Sequence, residues 1–487
     1  MAKFYDTMLA EYVKNPWVRG LSLEKLSERK LDYEMIKIDD LVKKQKLNNF
    51  SKVDIEIASK YSGEDVYTTY NLYCEQELSE SENRILEEMD LPFIHVLKDM
   101  EITGVKICRD RLKELGNIFE IEADKFEKSI FEEVGEEFNI NSPKQVGEML
   151  FDKLELPKWK KTKTGWSVKA EILEELSKEH PIANKIIQYR HYTKLNSTFI
   201  NWLIDLLDEN DFLHTSYSQA VTATWRLSST KPNLQNIPSS KWIAGEIRSA
   251  FISRFDGWEI MAIDYSQVEL RLLALMSWDE NLLETFKRWF DIHQRTAELI
   301  WTTDRKIAKA VNFGVVYWIS GFWLSKMINS TVSDANLYIK KFFESYPKVR
   351  MFLDETIKKC EETGYVETIY WRRRYIKWIT DRNKMIKSGA EREAINMPVQ
   401  WTSADIMKIA MIKIREFMSS PQPSPEGEGV KSKLIMQVHD EVVFDIFPWE
   451  EKIIEKEVTK IMENVLANKE ISLKVDCEIG DNWRDVK

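Results

Sequence analysis

Two short apolar runs of the chain each lead into an aspartate. The first run, Met261–Ile263, is followed by Asp264, and the second, Leu434–Val438, is followed by His439 and Asp440. Both runs are typical of buried strands. An ionised carboxylate at the end of such a strand is costly unless it is paired or binds a metal. Two such strands side by side would hold two hard divalent cations, which indicates phosphoryl or nucleotidyl transfer.

A cationic and aromatic stripe lies between the two runs. Its members Arg305, Lys309, Phe313 and Tyr317 recur every four residues. On an α-helix a four-residue step drifts by only about 40°, so neighbouring members lie along one slowly turning face. This face suits a triphosphate on its cationic half and a base stacked on its aromatic half. The alternatives are a turn or cap role for each aspartate and a surface helix whose basic end packs against the core.

Five segments occur in the order found in one enzyme family. They are Thr222–Pro238, Asp264–Arg271, Arg305–Tyr317, Glu391–Gln400 and Gln437–Glu441. With these segments the chain resembles the family A DNA polymerases, of the bacterial DNA polymerase I type, over essentially its whole length. The second, third and fifth segments match the motifs A, B and C of that family.

The resemblance implies an α+β, multidomain, right-hand architecture. It has a palm with an antiparallel sheet, helical fingers and a helical thumb, which Phe138–Gln145 matches. The expected domains are a partial ribonuclease H-like 3′–5′ exonuclease domain (1–82), the thumb with its connecting helix (83–205), the first part of the palm (206–283), the fingers (284–402) and the second part of the palm (403–487).

The resemblance also assigns the chemistry. Asp264 and Asp440 would hold two magnesium ions, Lys309 would protonate the leaving group, and Glu441 would act as a helper near the metals. Glu269 would lie under the sugar and exclude a 2′-hydroxyl. The nucleotide-binding residues implied are Arg305, Lys309, Phe313, Tyr317, His293, Glu269 and Gln267. The residues implied to contact primer-template DNA are Arg226, Asn233, Gln235, Arg392, Asn396, Gln400 and His439.

The N-terminal segment predicts a nuclease remnant. Residues 1–82 are expected to form helices and short strands, and Tyr61–Asp65 resembles the third motif of the family's exonuclease domain. The carboxylates of the first two motifs are expected upstream, in a part that this N-terminally truncated sequence lacks. Asp6 is not counted as a metal ligand. Because one carboxylate cannot organise a two-metal nuclease site, we expect no proofreading.

Composition narrows the class of protein. A chain of 487 residues predicts two to four domains. It has no run of eighteen apolar residues, which argues against a membrane span. Four cysteines without CxxC spacing indicate a reducing compartment and no structural zinc. We therefore expect a cytoplasmic monomer whose partners are primer-template DNA and deoxynucleoside triphosphates. The Pro/Ser/Gly-rich insert at 419–429 predicts a flexible surface loop.

Tryptophan stands repeatedly where the family has glycine. The clearest positions are Trp225, Trp318, Trp323, Trp371 and Trp401, followed by Trp17, Trp159, Trp278, Trp289 and Trp301. The match is looser at Trp202, Trp242, Trp378 and Trp449. At Trp166, Trp258 and Trp483 the family accepts an aromatic residue. The chain has 16 glycines and 17 tryptophans, whereas usual composition predicts about 34 glycines. One hypothesis is that a single codon, most simply UGA, means glycine in the source; the alternative is genuine tryptophan in an unusual or decayed polymerase.

Two rival functions remain on the sequence. One is a catalytically impaired DNA-binding relic, which the tryptophans and the nuclease remnant favour and the intact motifs disfavour. The other is a single-subunit RNA polymerase, which shares the palm carboxylates and a basic fingers helix. Glu269 and Phe313 favour deoxynucleotides over ribonucleotides.

Overall fold

The structure is a computed structural model that describes residues 4–44, 49–157, 161–162, 165–239, 243–255, 257–288, 291–420, 430–466 and 471–486. The predicted loop at 419–429 therefore lies almost wholly outside the described residues, as do Trp159, Trp242 and Trp289. None of the helices in these ranges combines the length and the apolarity needed to cross a membrane.

The N-terminal region is helical. Its helices are α1 (Thr7–Lys14), α2 (Leu23–Lys30), α3 (Ile38–Lys44), α4 (Ile55–Glu75) and α5 (Glu80–Ile85). The short strands expected within 1–82 are absent from residues 4–44 and 49–82, so that expectation is wrong for the described part. Among the 21 residues of α4, only Thr68 and Leu72 are buried, which leaves too few apolar contacts to pair this helix with a sheet. The partial exonuclease domain stays a prediction.

Two long helices dominate the region expected to form the thumb. Its helices are α6 (Leu91–Thr103), α7 (Arg109–Val134), α8 (Pro143–Glu148), α9 (Ala170–Leu176), α10 (Pro181–Leu195) and α11 (Trp202–Leu206), and its strands are β1 (Val105–Lys106), β2 (Lys161–Thr162) and β3 (Gly165–Trp166). Helices α7 and α10 pack together, with the rings of Phe126 and Tyr192 stacked at 6.0 Å. Pro143 opens α8, where its missing N–H costs nothing, and Ser142 caps this helix.

The remaining strands include the four that form the sheet around motifs A and C. They are β4 (Phe212–Leu213), β5 (Ser216–Ser218), β6 (Ser228–Thr230), β7 (Ile260–Tyr265), β8 (Tyr365–Glu367), β9 (Arg373–Tyr375), β10 (Lys433–Val438), β11 (Glu441–Asp445) and β12 (Val475–Gly480). Four of them form an antiparallel sheet in the order β10-β11-β7-β12. In β7, Met261 and Ile263 face one buried cluster while Ile260 and Ala262 face another. Burial on both faces explains why the first four residues of this strand, 260–263, are all apolar.

The helices after β7 lie in the regions expected to form the end of the first palm part, the fingers and the second palm part. They are α12 (Val268–Ser277), α13 (Glu280–Lys287), α14 (Ile292–Ile300), α15 (Arg305–Val316), α16 (Gly321–Met327), α17 (Val332–Ser345), α18 (Pro347–Thr363), α19 (Lys384–Ser419) and α20 (Glu451–Glu463). Helix α19 runs unbroken through the expected boundary at 402/403 and contains Pro398. That boundary therefore lies inside one helix, and the domain limits stay predictions.

Candidate active site

Strand pairing brings the two aspartates together. Residues His439 and Asp440 form the two-residue turn between β10 and β11. Strand β11 pairs with β7 so that Glu441 lies opposite Asp264, and the backbone N–H of Tyr265 donates to the Asp440 carbonyl at 3.1 Å. Asp264 and Asp440 both line one cavity of about 410 Å³. The two carboxylates are thus neighbours in space, as adjacent strands predict.

The surroundings of Asp440 suit a cation. Burial raises the pKa of the Asp440 carboxyl, while Arg226, His439 and a hydrogen bond with Ser403 lower it in part. A carboxylate that is costly to ionise is stabilised when a metal binds it. Two carboxylate oxygen donors are the set that Mg²⁺ uses when substrate phosphates complete its shell. No group of three or more His, Cys, Asp or Glu side chains that could hold a metal occurs in the described part of the chain.

A third acidic residue near the cavity, Glu441 at the start of β11, is held in place. Glu441 is buried, with 1% of its surface exposed. Trp483 Nε1 donates to its Oε1 at 2.8 Å. This contact ties the strand that follows Asp440 to the C-terminal segment, and it gives Glu441 a fixed position at the edge of the cavity.

One face of helix α15 forms the opposite wall. The helix begins after Asp304, whose side chain accepts from the backbone N–H of Lys306 at 2.8 Å. The whole stripe from the sequence lines the cavity: Arg305, Lys309, Phe313 and Tyr317. Arg305 Nη2 lies 2.7 Å from Asp291 Oδ2, so this guanidinium is paired with a carboxylate of the neighbouring helix start. The Lys309 ammonium lies 5.9 Å from the centre of the Phe313 ring.

His293 also lies in this wall and is held by a buried amide. Burial lowers the pKa of His293, and Asp291 opposes this shift. The Asn312 Nδ2 lies 2.9 Å from His293 Nδ1, and the Thr296 hydroxyl donates to Asn312 Oδ1 at 2.9 Å. The sequence did not single out Asn312. Its signal was a polar residue on the apolar face of α15.

Glu269 anchors the floor of the cavity. Its carboxylate accepts from the Tyr317 hydroxyl and from Arg226 Nη2, each at 2.9 Å. Burial raises the pKa of Glu269, and Arg226 opposes this shift. Gln267, which precedes α12 with φ of 55°, lines the same cavity. All seven expected nucleotide-binding residues therefore surround one volume.

Comparison with known proteins identifies the family. The model of DNA polymerase family A matches residues 109–485. The chain belongs to this family. DNA polymerase I of Bacillus subtilis (strain 168) is 40% identical over 498 residues, which cover 99% of this chain and 55% of that protein. DNA polymerase I of Geobacillus stearothermophilus is 41% identical over 415 residues, which cover 83% of this chain and 46% of that protein. The chain spans about half the length of these curated relatives.

A solved family A structure shares the fold. It is the POL domain of Pol1 from M. smegmatis in complex with DNA primer-template and dNTP. The TM-score is 0.85 at 30% identity, over 99% of this chain and 82% of that one. The expected right-hand polymerase architecture is thereby confirmed, whereas the exonuclease part of the prediction is not.

The residues expected to contact DNA do not all reach the cavity. Arg226 and His439 line it. Arg392, Asn396 and Gln400 follow one another at four-residue steps along α19 of the family A fold. These spacings place the three on one side of the helix.

A second group of polar residues lies beneath the turn of motif C. Asn233 accepts from the backbone N–H of Gln235 at 3.1 Å, and Gln235 Nε2 donates to Gln437 Oε1 at 3.1 Å. Sequence reasoning missed Gln437, although it opens motif C, and Ser403, which follows Gln400 by three residues on α19. A glutamine and a serine do not stand out by residue type. Only the fold brings these two side chains to Asp440 and its turn.

Proposed function

We propose that the chain is a template-directed DNA polymerase that adds deoxynucleotides to a primer 3′ end in DNA replication or repair. One observation carries this proposal: the Asp264 and Asp440 carboxylates share a cavity with the Arg305 and Lys309 cations of helix α15. Acidic groups on one wall and cations on the other suit a metal–triphosphate complex between them. The membership of family A supports the same reaction.

Magnesium is the cofactor that this carboxylate pair fits. Asp264 and Asp440 would hold it, with Glu441 as a nearby helper. When bound, two such ions supply charge neutralisation for the attacking and the leaving oxygens of an in-line displacement.

The cationic wall acts on the phosphates. Arg305 and Lys309 bind the β and γ phosphates, and Lys309 is the donor that protonates the leaving pyrophosphate. His293 gives a further phosphate contact. Its lowered pKa keeps the ring neutral, and the amide of Asn312 holds its orientation. Asn312 is thus a positioning residue that acts through His293.

The floor and the aromatic half of the stripe select the nucleotide. Phe313 and Tyr317 pack against the incoming base and sugar. Glu269, fixed by Tyr317 and Arg226, occupies the space that a 2′-hydroxyl needs. A fixed side chain excludes an additional oxygen better than a mobile one does.

The polar residues around the palm contact the primer-template. Their roles rest on the family resemblance: Arg226, Asn396, Gln400 and His439 would read the minor groove or the primer end. Three further residues would contact the DNA, namely Asn233, Gln235 and Arg392. The four cysteines without CxxC spacing support a cytoplasmic location, and we further propose a monomer. The single carboxylate of the third exonuclease motif supports a chain that does not proofread by itself.

Primer extension tests the function directly. The chain, with glycine restored at the tryptophans that stand at family glycine positions, would be given a labelled primer-template, Mg²⁺ and the four deoxynucleotides, with a parallel reaction that contains ribonucleotides only. We expect templated extension with deoxynucleotides, none with ribonucleotides and none with Asp264→Ala. A chain that binds the duplex but never extends it is the impaired relic, and efficient ribonucleotide extension indicates the RNA polymerase class.

A mismatched primer without nucleotides tests the expected lack of proofreading. We expect the primer to stay intact. Shortening from its 3′ end by the purified chain, lost in Asp65→Ala, would contradict that expectation and assign nuclease chemistry to the N-terminal region.

A further inference from the structure

Tryptophan is concentrated at backbone positions that exclude most side chains. In the described ranges, fourteen non-glycine residues have φ between 49° and 72°, and seven of them are tryptophan. These seven left-handed tryptophans are Trp225, Trp278, Trp301, Trp318, Trp371, Trp378 and Trp449. Tryptophan makes up only 17 of the 487 residues, so chance would place about one or none of the fourteen at tryptophan.

The left-handed conformation is wrong for an indole. In this region Cβ crowds the backbone, so the conformation is used mainly by glycine and, to a smaller extent, by asparagine and aspartate. Strained residues of this kind cluster at functional sites, where the surrounding structure holds them. The seven left-handed tryptophans are scattered from 225 to 449 instead, and Trp301 and Trp449 each leave 80% of their surface exposed. Exposed indoles bury little surface to offset the strain.

Two of them end helices in the motif that glycine normally completes. The N–H of Trp301 donates to the Glu298 carbonyl at 3.3 Å, and the next N–H, of Thr302, donates to the Ala297 carbonyl at 2.9 Å. This pair of hydrogen bonds is the Schellman motif, whose left-handed residue is usually glycine. The same pair of bonds surrounds Trp318 at the end of α15, at 3.1 and 2.8 Å.

Other helix ends of this chain use the expected residues. Gly135 ends α7 with φ of 80°, and Gly364 ends α18 with φ of 79°. After α16 the left-handed residue is Asn329, with φ of 51°. One structural role is therefore filled by glycine or asparagine at some helix ends and by tryptophan at others.

Two more occupy turn positions that require glycine. The Glu450 N–H donates to the Phe447 carbonyl at 3.1 Å, with Pro448 and Trp449 between them. Proline followed by a residue with positive φ is the type II pattern, which takes glycine in the second place. Trp371 has φ of 63° and closes the loop between β8 and β9, at the position of a bulge that glycine normally fills.

The tryptophans that match an aromatic position in the family behave differently. Trp166, Trp258 and Trp483 are absent from the left-handed set. Trp483 is fully buried, stacks under the Arg248 guanidinium at 3.8 Å and donates to Glu441. These three residues have the backbone, and Trp483 has the contacts, that an indole requires.

We propose that glycine occupies the seven left-handed positions in the natural protein, because its gene uses a codon, most simply UGA, that the source reads as glycine. The backbone thereby assigns glycine also to Trp378 and Trp449, where the comparison with the family's glycine positions is loose. The backbone adds no support at Trp17, Trp202, Trp323 and Trp401, which lie outside the left-handed set. The inference is independent of the proposed function, since it rests on backbone conformation alone.

The gene and the native protein test it together. In the gene we expect UGA at the seven positions and UGG at Trp166, Trp258 and Trp483. In protein purified from the source cells, proteolytic peptides that span the seven positions should each be lighter by the mass difference between tryptophan and glycine. Peptides that span Trp258 and Trp483 are the internal control and should keep the tryptophan mass. Tryptophan mass at the seven positions, or UGG codons there, would overturn the proposal.

Discussion

The candidate active-site cavity carries side chains that suit the proposed chemistry, whereas the turns beside it carry tryptophan on backbone that favours glycine. Tyr317 places its hydroxyl 2.9 Å from Glu269, whereas the next residue, Trp318, has a backbone that disfavours any large side chain. Arg226 lines the cavity directly after the left-handed Trp225. In a decayed gene, substitutions would strike both regions and would vary in type. Here the cavity keeps its chemical groups, and tryptophan alone accounts for seven of the fourteen non-glycine residues with positive φ in the described ranges.

The same contrast holds away from the cavity. Arg372 is fully buried and pairs with Asp90 at 3.0 Å and with Asp405 at 2.8 Å. Its neighbour Trp371 is half exposed with a positive φ. A buried ion network is strongly destabilised when one partner is lost, so its survival beside Trp371 indicates a protein whose side chains remain under selection. A code difference explains both observations.

The largest expected effect tests the cavity. Asp264→Ala should lower primer extension by about a thousandfold or more, because it removes half of the carboxylate pair and several kcal/mol of charge stabilisation. Steady-state extension at saturating Mg²⁺ measures it. Asp476→Ala is the matched control, since Asp476 lies opposite Asp264 on β12 but is exposed and outside the cavity. Equal losses in both variants would contradict the assignment.

The next effect tests the cationic wall. Lys309→Ala should slow single-turnover incorporation by about a hundredfold, because a general acid and a phosphate contact are both lost. Lys306 is an exposed lysine of the same helix that does not line the cavity, so Lys306→Ala should leave the rate unchanged. Loss of the parent's pH dependence in Lys309→Ala would support the proton-donor role alone. A rate equal to the parent's would refute both roles.

Sugar selection should change more modestly. Glu269→Ala should raise the incorporation of ribonucleotides relative to deoxynucleotides by about tenfold or more, because the floor of the cavity opens. Tyr317→Phe removes only one of the two hydrogen bonds that hold Glu269 and should have an intermediate effect. Competition between the two nucleotide types on one template gives the ratio. An unchanged ratio in Glu269→Ala would place the discrimination elsewhere.

The smallest effect tests the turns. In the chain as written, Trp278→Gly should stabilise the fold by about 1 kcal/mol, because it relieves a left-handed residue at the end of α12. Trp202→Gly is the control: Trp202 is helical, with φ of −66°, so glycine there should destabilise by about 1 kcal/mol. Denaturant unfolding of both variants measures the difference. Destabilisation of similar size at both positions would remove the strain argument.

The local pattern of apolar and polar residues was enough to predict one helix face, one strand and one turn of the candidate site from the sequence. The four-residue period of α15 predicted which side chains share a face of that helix. The apolar runs that end in aspartates predicted strand β7 and the turn before β11. Both predictions succeed because helix and strand periodicity depend only on near neighbours. Pattern failed in the N-terminal region, where short strands were expected and helices form. There the few apolar positions did not distinguish a half-buried helix from a strand.

Tertiary structure decided what depends on distant segments or on backbone conformation. The pairing of β11 with β7 set Asp440 beside Asp264, the crossing of α14 and α15 set Asn312 against His293, and α19 brought Ser403 to Asp440. Side-chain type does not encode such long-range contacts. It does not encode φ either, so only the folded backbone separated the tryptophans in left-handed turns from those in ordinary ones.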